Sequence, residues 1–351
     1  MPQPTRRRLS LGLLAAAAAA PIASAQQAPG APSMPADKRL EGIDPELLAA
    51  VANLPDEPIT AETLASVRAR PTPGPLPPPA PQLQRVMIPG PPGAPEVLVQ
   101  LIDPGGNDDR RPAFLHMHGG GFVAGSAGRN PAFLQTVASE LGCVVASVGY
   151  RLAPETAFPG SLEDNYAALR WLNREADRLR VDTDRILIGG ESAGGGHAAM
   201  LAIAARKRGE YQIAFQLLTY PMLDDRTGSS RAAAAHTGRV RWNAASNRFG
   251  WSALLGQAAG SDRPPEGAVP ARVEDLSGLP PAFIGVGGLD LFLEEDIEYA
   301  RRLTAAGVAA ELLVVPGAYH GFDVLAPEAG VSRRFRQARL SALSRALGRP
   351  R

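Results

Sequence analysis

The segment that most restricts the fold is the apolar run Ile186-Leu187-Ile188-Gly189, which passes through Gly190-Glu191-Ser192-Ala193-Gly194 into an alanine-rich stretch. That order reads as a strand, a sharp turn and a helix, with Ser192 at the tip. Gly190 and Gly194 let strand and helix approach closely, and the small residues suit a backbone that bulkier ones avoid. A strand running straight into a helix reaches its next partner by a crossover, so the unit points to a parallel sheet covered by helices.

The remaining pattern agrees. Candidate strands at 83–88, 97–102, 113–118, 143–148 and 213–219 alternate with helical periodicity at 131–141 and 164–180, and further apolar runs cover 281–287 and 311–315. The expectation is an α/β fold, a mainly parallel central sheet flanked by helices, with a site at its carboxyl edge. A short Pro-Gly link between the first two strands suits an antiparallel start. Helices are expected from Asp44-Pro45-Glu46 and around 60–68, and the proline-rich stretch 71–81 reads as an extended connector. Between Met222 and Pro280 the strand pattern lapses, while Trp242, Phe249, Trp251, Leu254 and Leu255 recur near helical spacing. The expected domain spans 39–351, with a helical cap formed by about 39–70 and 222–260.

Three further features accompany Ser192. His116-Met117-His118-Gly119-Gly120-Gly121-Phe122 follows an apolar run, and a glycine run at a strand end leaves backbone N–H groups exposed that suit a developing oxyanion. The N–H of Ala193, directly after the serine, can join them. Asp290 follows the 281–287 run and His320 the 311–315 run, so serine, carboxylate and imidazole stand at three strand ends in the order Ser, Asp, His. A serine hydroxyl becomes nucleophilic when a base takes its proton, imidazole titrates near neutral pH, and a carboxylate fixes its tautomer. Glu294 and Glu295 lie inside the helix expected over 291–305, away from the strand end. Among the five histidines, His116, His118, His197 and His236 precede the last strand, leaving His320 for the base. His116 and His118 point the same way along a strand, but no third ligand is near in sequence, so no metal is expected.

With these residues in place, the chain resembles the bacterial branch of the hormone-sensitive-lipase family of α/β-hydrolases. The resemblance covers about 40–345 and rests also on Tyr150-Arg151-Leu152-Ala153-Pro154-Glu155, Phe158-Pro159, Asp184-Arg185-Ile186, Tyr220-Pro221-Met222-Leu223-Asp224, the segment from Asp275 to Pro281, and His320-Gly321-Phe322. It implies an α/β-hydrolase fold and a serine carboxylic-ester hydrolase acting through an acyl-enzyme on short- to medium-chain esters, with no cofactor. It further implies Ser192 as nucleophile, Asp290 as acid, His320 as base, and the N–H groups of Gly120, Gly121 and Ala193 as the oxyanion hole. His118 and Gly119 support that loop. Glu191 stands where the family commonly has Asp, and Leu291 where it commonly has Pro; Glu191 is expected to brace the turn or to bias the site against anionic acyl groups. Tyr150, Arg151 and Asp164 are expected to brace neighbouring loops. At least one of the aromatic residues of 222–260, or Phe122, is expected to line the acyl or alcohol pocket. Amidases, thioesterases and acyltransferases can use the same three side chains, and a ligand-binding protein can keep the scaffold without chemistry, so these readings stay open at this point.

Arg6-Arg7-Arg8, the apolar run from Leu9 to Ala20 and Ala23-Ser24-Ala25 read as a signal peptide, 1–25, of twin-arginine type. A general secretory signal is the main competitor. The expected product is exported, periplasmic or secreted, with a disordered 26–38 and no stable membrane span in the mature chain. Without the signal arginines, 33 basic residues face 35 acidic ones, a charge of about −2, which supplies no footprint for nucleic acid. The expected partner is therefore a small-molecule ester. The single cysteine, Cys143, adjoins Val144-Val145-Ala146 and reads as a buried hydrophobe.

Overall fold

A computed structural model describes residues 38–348, apart from 53, 55, 56, 72, 73, 79, 107 and 108. The expected signal peptide and residues 26–37 lie outside the described residues, and Lys38 opens a 3-10 turn. Residues 39–351 form one unit.

The strands are β1 (Leu83–Ile88), β2 (Val97–Ile102), β3 (Arg111–Met117), β4 (Val144–Gly149), β5 (Val181–Glu191), β6 (Phe215–Thr219), β7 (Ala282–Gly287) and β8 (Ala310–Val315). The helices are α1 (Pro45–Val51), α2 (Leu64–Arg68), α3 (Pro131–Leu141), α4 (Gly160–Arg174), α5 (Ala176–Leu179), α6 (Ala193–Arg208), α7 (Ala244–Leu255), α8 (Leu293–Ala305), α9 (Phe322–Leu325) and α10 (Gly330–Ala346). The sheet order is β1-β2-β4-β3-β5-β6-β7-β8. β2 runs antiparallel to β1, as the short link suggests, and also to β4; the other pairings are parallel.

Alternation along the strands divides the core. Phe114, Val145, Leu187, Leu217 and Phe283 pack with α3 and α10, while Leu115, Ala146, Ile188, Leu218 and Ile284 pack with α4, α6 and α8. Both faces are covered, which is why the central strands read as unbroken apolar runs.

Two elements depart from expectation. The helix expected over 164–180 begins at Gly160, directly after Pro159, and stops at Arg174; α5 follows separately and ends at Arg180 in the left-handed region, φ 53°. The long C-terminal helix α10 was not anticipated, although Val331, Phe335, Leu340 and Leu343 form its buried face. Its first N–H groups, from Gly330 and Val331, donate to the Glu46 carboxylate on α1.

Segments 39–70 and 222–260 meet near the carboxyl edge of the sheet. The Ile59 N–H donates to Ser246 Oγ at 2.9 Å. Leu64 clusters with Val123 and Ala153, and Phe249 and Ala253 from α7 pack against them. Among the described residues, no helix is long and apolar enough to cross a membrane.

Candidate active site

At the end of β5 the chain turns through Ser192 at φ 59°, ψ −120°, and enters α6 at Ala193. A non-glycine residue there carries strain of about 1–3 kcal/mol. Three backbone bonds hold it: the Ser192 N–H donates to Thr219 O at 2.9 Å, and its carbonyl accepts from Gly196 and Met222 at 3.0 Å each. The approach to β3 is close enough that a Cβ on Gly194 would lie 2.0 Å from the Met117 carbonyl oxygen. Glycine at 194 is a steric requirement.

The three residues expected from three strand ends meet. His320 Nε2 lies 3.0 Å from Ser192 Oγ, and its Nδ1 lies 2.8 Å from Asp290 Oδ2. The other Asp290 oxygen accepts the Phe292 N–H at 3.0 Å, which fixes the carboxylate. The rivals face elsewhere: Glu294 is exposed, and Glu295 accepts from the N–H groups of Leu223 and Asp224. Phe292 and Tyr220 meet the His320 ring edge-on at 5.2 and 4.9 Å, so apolar walls enclose the imidazole. With the Nδ1 proton donated to Asp290, Nε2 is left to accept from the serine hydroxyl.

The glycine loop lies beside this cluster. Among the described residues, the N–H groups of Gly120, Gly121 and Ala193 have no protein acceptor. Gly120 and Gly121 have φ 138° and 62°, and a Cβ on Gly121 would lie 2.2 Å from the Trp242 ring. Trp242, tethered to Asn247 Oδ1 at 3.2 Å, also lies 6.1 Å from the His320 ring. Of the aromatic residues expected at a pocket, Trp242 is the one brought to the site. Phe249 packs on the Leu64 cluster, and Phe122 and Trp251 pack together beside His197.

His118 braces the loop from within. Its Nδ1 donates to the Gly119 carbonyl at 3.0 Å, its ring stacks on Tyr150 at 4.2 Å, and the Tyr150 hydroxyl donates to the His118 carbonyl at 2.6 Å. Burial pulls its pKa down to about 3, so it is neutral at physiological pH. His197 is likewise lowered by burial to about 3. Arg151 and Asp164 pair at 2.8 Å, and the Arg151 N–H also donates to that carboxylate, a loop brace as expected.

Glu191 resolves toward bracing. Its Oε2 lies 2.9 Å from His116 Nε2, its Oε1 accepts from Asn130 Nδ2 at 3.0 Å, and Arg339 Nη1 is 3.8 Å away. Burial alone would raise this carboxyl, but His116, Arg339 and Asn130 together hold it down to about 2. Arg339 continues to Asp323 Oδ2 at 2.8 Å, and Asp323 Oδ1 accepts from the Tyr220 hydroxyl at 2.8 Å. A buried chain of charged contacts, hydrogen-bonded from Arg339 through Asp323 to Tyr220, thus joins the serine turn to the segment after His320. Sequence reasoning missed Asn130, Arg339 and Asp323; an arginine on the apolar stripe of α10 is the signal that could have found one of them. Among the described residues, no three His, Cys, Asp or Glu side chains are grouped to hold a metal ion.

A mostly parallel eight-stranded sheet, with serine, histidine and aspartate joined at its carboxyl edge, defines the class: an α/β-hydrolase fold. The family model described as alpha/beta hydrolase fold matches residues 114–324, and the chain belongs to that family, in its hormone-sensitive-lipase-like branch. Esterase LipI of Mycobacterium tuberculosis is 35% identical over 283 residues, spanning 80% of this chain and 88% of that protein. Carboxylesterase NlhH of the same organism is 34% identical over 256 residues, spanning 73% and 80%. Among solved structures, a bacterial heroin esterase is similar with a TM-score of 0.76 and 36% identity, over 87% of this chain and 98% of that one.

Proposed function

We propose that this protein is a serine carboxylic-ester hydrolase working through an acyl-enzyme, with Ser192, His320 and Asp290 as its catalytic residues. The observation that carries the reading is the line of contacts at 3.0 and 2.8 Å beside three backbone N–H groups that have no acceptor among the described residues. In the reaction His320 takes the Ser192 proton as the oxygen attacks the ester carbonyl. The oxyanion of the tetrahedral intermediate is held by the N–H groups of Gly120, Gly121 and Ala193. The imidazolium, stabilised by Asp290, then protonates the departing alcohol. Water, deprotonated by His320, attacks the acyl-enzyme; collapse releases the acid and returns the proton to Ser192. No step draws on a metal or organic cofactor.

The relatives named esterase and carboxylesterase support the ester as substrate class. Ser192→Ala should abolish labelling by a fluorophosphonate and turnover of p-nitrophenyl butyrate, measured by intact mass and by product release. Wild-type turnover in that variant would overturn the mechanism. A series of p-nitrophenyl esters of increasing acyl length tests the short- to medium-chain preference, which Trp242 against Gly121 supports by narrowing the space beside the oxyanion donors.

The contacts joining 39–70 to 222–260 support their assignment as a shared cap. For the N-terminus we propose export as a folded protein with cleavage after Ala25, supported by the arginine triplet, apolar run and small-residue site. Replacing Arg6 and Arg7 by lysine should leave the precursor uncleaved in the cytoplasm, read by fractionation and mass of the N-terminal peptide.

A further inference from the structure

We propose, resting on the ester-hydrolase reading, that Gly250 and Trp242 are positioning residues, which clamp Gly121 at its carbonyl and its Cα so that its N–H stays aimed at the oxyanion of the reacting ester.

The peptide that carries this donor is turned by its own carbonyl. Gly120 O accepts the N–H groups of Ala124 at 2.9 Å and Val123 at 3.2 Å. In a trans peptide the following N–H points the opposite way, so the Gly121 N–H faces out of that turn. Gly120 and Gly121 have no side chains to hold them there, and both have positive φ, where glycine keeps a freedom that other residues lack. A donor on so permissive a backbone is preorganised only if something outside the loop restrains it.

The restraint comes from the 222–260 segment. Gly250 is buried in the interior of α7, where glycine costs helix stability relative to alanine. Contact explains its presence: a Cβ at 250 would lie 2.5 Å from the Gly121 carbonyl oxygen, a backbone atom that has no side-chain freedom with which to yield. The Trp242 ring closes over the Gly121 Cα, so that a Cβ there would lie 2.2 Å from its Cη2. That ring is itself tied down, since Trp242 Nε1 donates to Asn247 Oδ1 and Asn247 Nδ2 donates to the Thr227 carbonyl at 2.8 Å. Trp251, next to Gly250, meets the Phe122 ring at 4.8 Å, so two successive loop residues are held by two successive residues of α7. With the Gly120 carbonyl fixed by the turn and Gly121 fixed by the clamp, the peptide between them is held at both ends.

The test is Gly250→Ala beside Trp242→Phe, whose smaller ring withdraws the Cη2 edge from Gly121. Helix propensity alone favours alanine at 250, so activity is read together with the urea midpoint. Turnover of p-nitrophenyl butyrate should fall in kcat by about ten- to a hundredfold for Gly250→Ala and by about three- to tenfold for Trp242→Phe, less than for a donor removed outright. KM should stay near its wild-type value. An alkyl trifluoromethyl ketone reports the donor directly: Ser192 Oγ adds to its carbonyl carbon, the serine proton passes to His320, and the carbonyl oxygen becomes the bound oxyanion. Its inhibition constant should rise by the factor by which kcat falls, because adduct and transition state draw on the same N–H. Trp242 also lies near His320, and a displaced imidazole would move the pH midpoint of kcat/KM, which should hold in both variants. Wild-type kcat and inhibitor affinity in both variants, a loss confined to KM, or a moved pH midpoint with inhibitor affinity intact overturns the proposal and leaves the ester-hydrolase reading standing. If Gly250→Ala shows no cooperative urea transition, Trp242→Phe decides by the same readings. Absence of ester turnover and of fluorophosphonate labelling in the wild-type protein overturns both.

Discussion

Ser192, Asp290 and His320 were legible because each closes a strand that is itself legible, and in a parallel sheet those ends gather at one edge. Asp290→Asn should keep the fold and lower kcat by about four orders of magnitude, since the amide favours the wrong imidazole tautomer; single-turnover acylation of a p-nitrophenyl ester measures it. The role of Glu191 was open until its partners were known, because Asn130, His116 and Arg339 reach it only through the tertiary fold. Folding lowers its carboxyl from an ordinary 4.5 to about 2, so its contribution to stability is complete above pH 4.5 and is lost as pH falls through 2. The stability gap between wild type and Glu191→Gln should therefore be widest near neutrality and narrow across that window. Urea midpoints along a pH series decide it, and a gap that does not vary with pH would contradict this assignment.

At the level of elements, runs such as Phe114-Leu115 and Ile186-Leu187-Ile188 mark their strands because both faces of the sheet are covered. The helices were harder. α4 begins at Gly160 because Pro159 can precede a helix as well as interrupt one, and α10 was missed because Arg339 interrupts the apolar stripe that would have announced it. That arginine is fully enclosed, with its guanidinium carbon 4.2 Å from the Phe133 ring centre and 5.0 Å from that of Phe335. Arg339→Met should destabilise the protein by about 3–5 kcal/mol, because it leaves the Glu191 and Asp323 carboxylates buried without their cation. Denaturant midpoints measure the loss. Restoring stability by adding Asp323→Asn would identify the stranded charge as its source.

Across the whole molecule, the mainly parallel sheet and its antiparallel start followed from alternation and link length, whereas the order of strands came only with the structure. The meeting of 39–70 with 222–260 was expected as a cap, but not its bonds, since the Ile59 to Ser246 contact spans 187 positions. A chain starting at Gln26 should show the same urea midpoint and the same ester turnover as the full chain, because residues 39–351 form a unit of their own. A lower midpoint for the shorter chain would contradict that independence.

The cation that neutralises the serine turn belongs to α10 and so leaves the ribosome long after the turn itself. A nascent chain halted before residue 339 would already contain Ser192, Asp290 and His320, yet Glu191 would lack its arginine and the loop after His320 its tether. The network beneath the nucleophile is therefore closed by a residue that the ribosome adds after every one of the three triad side chains.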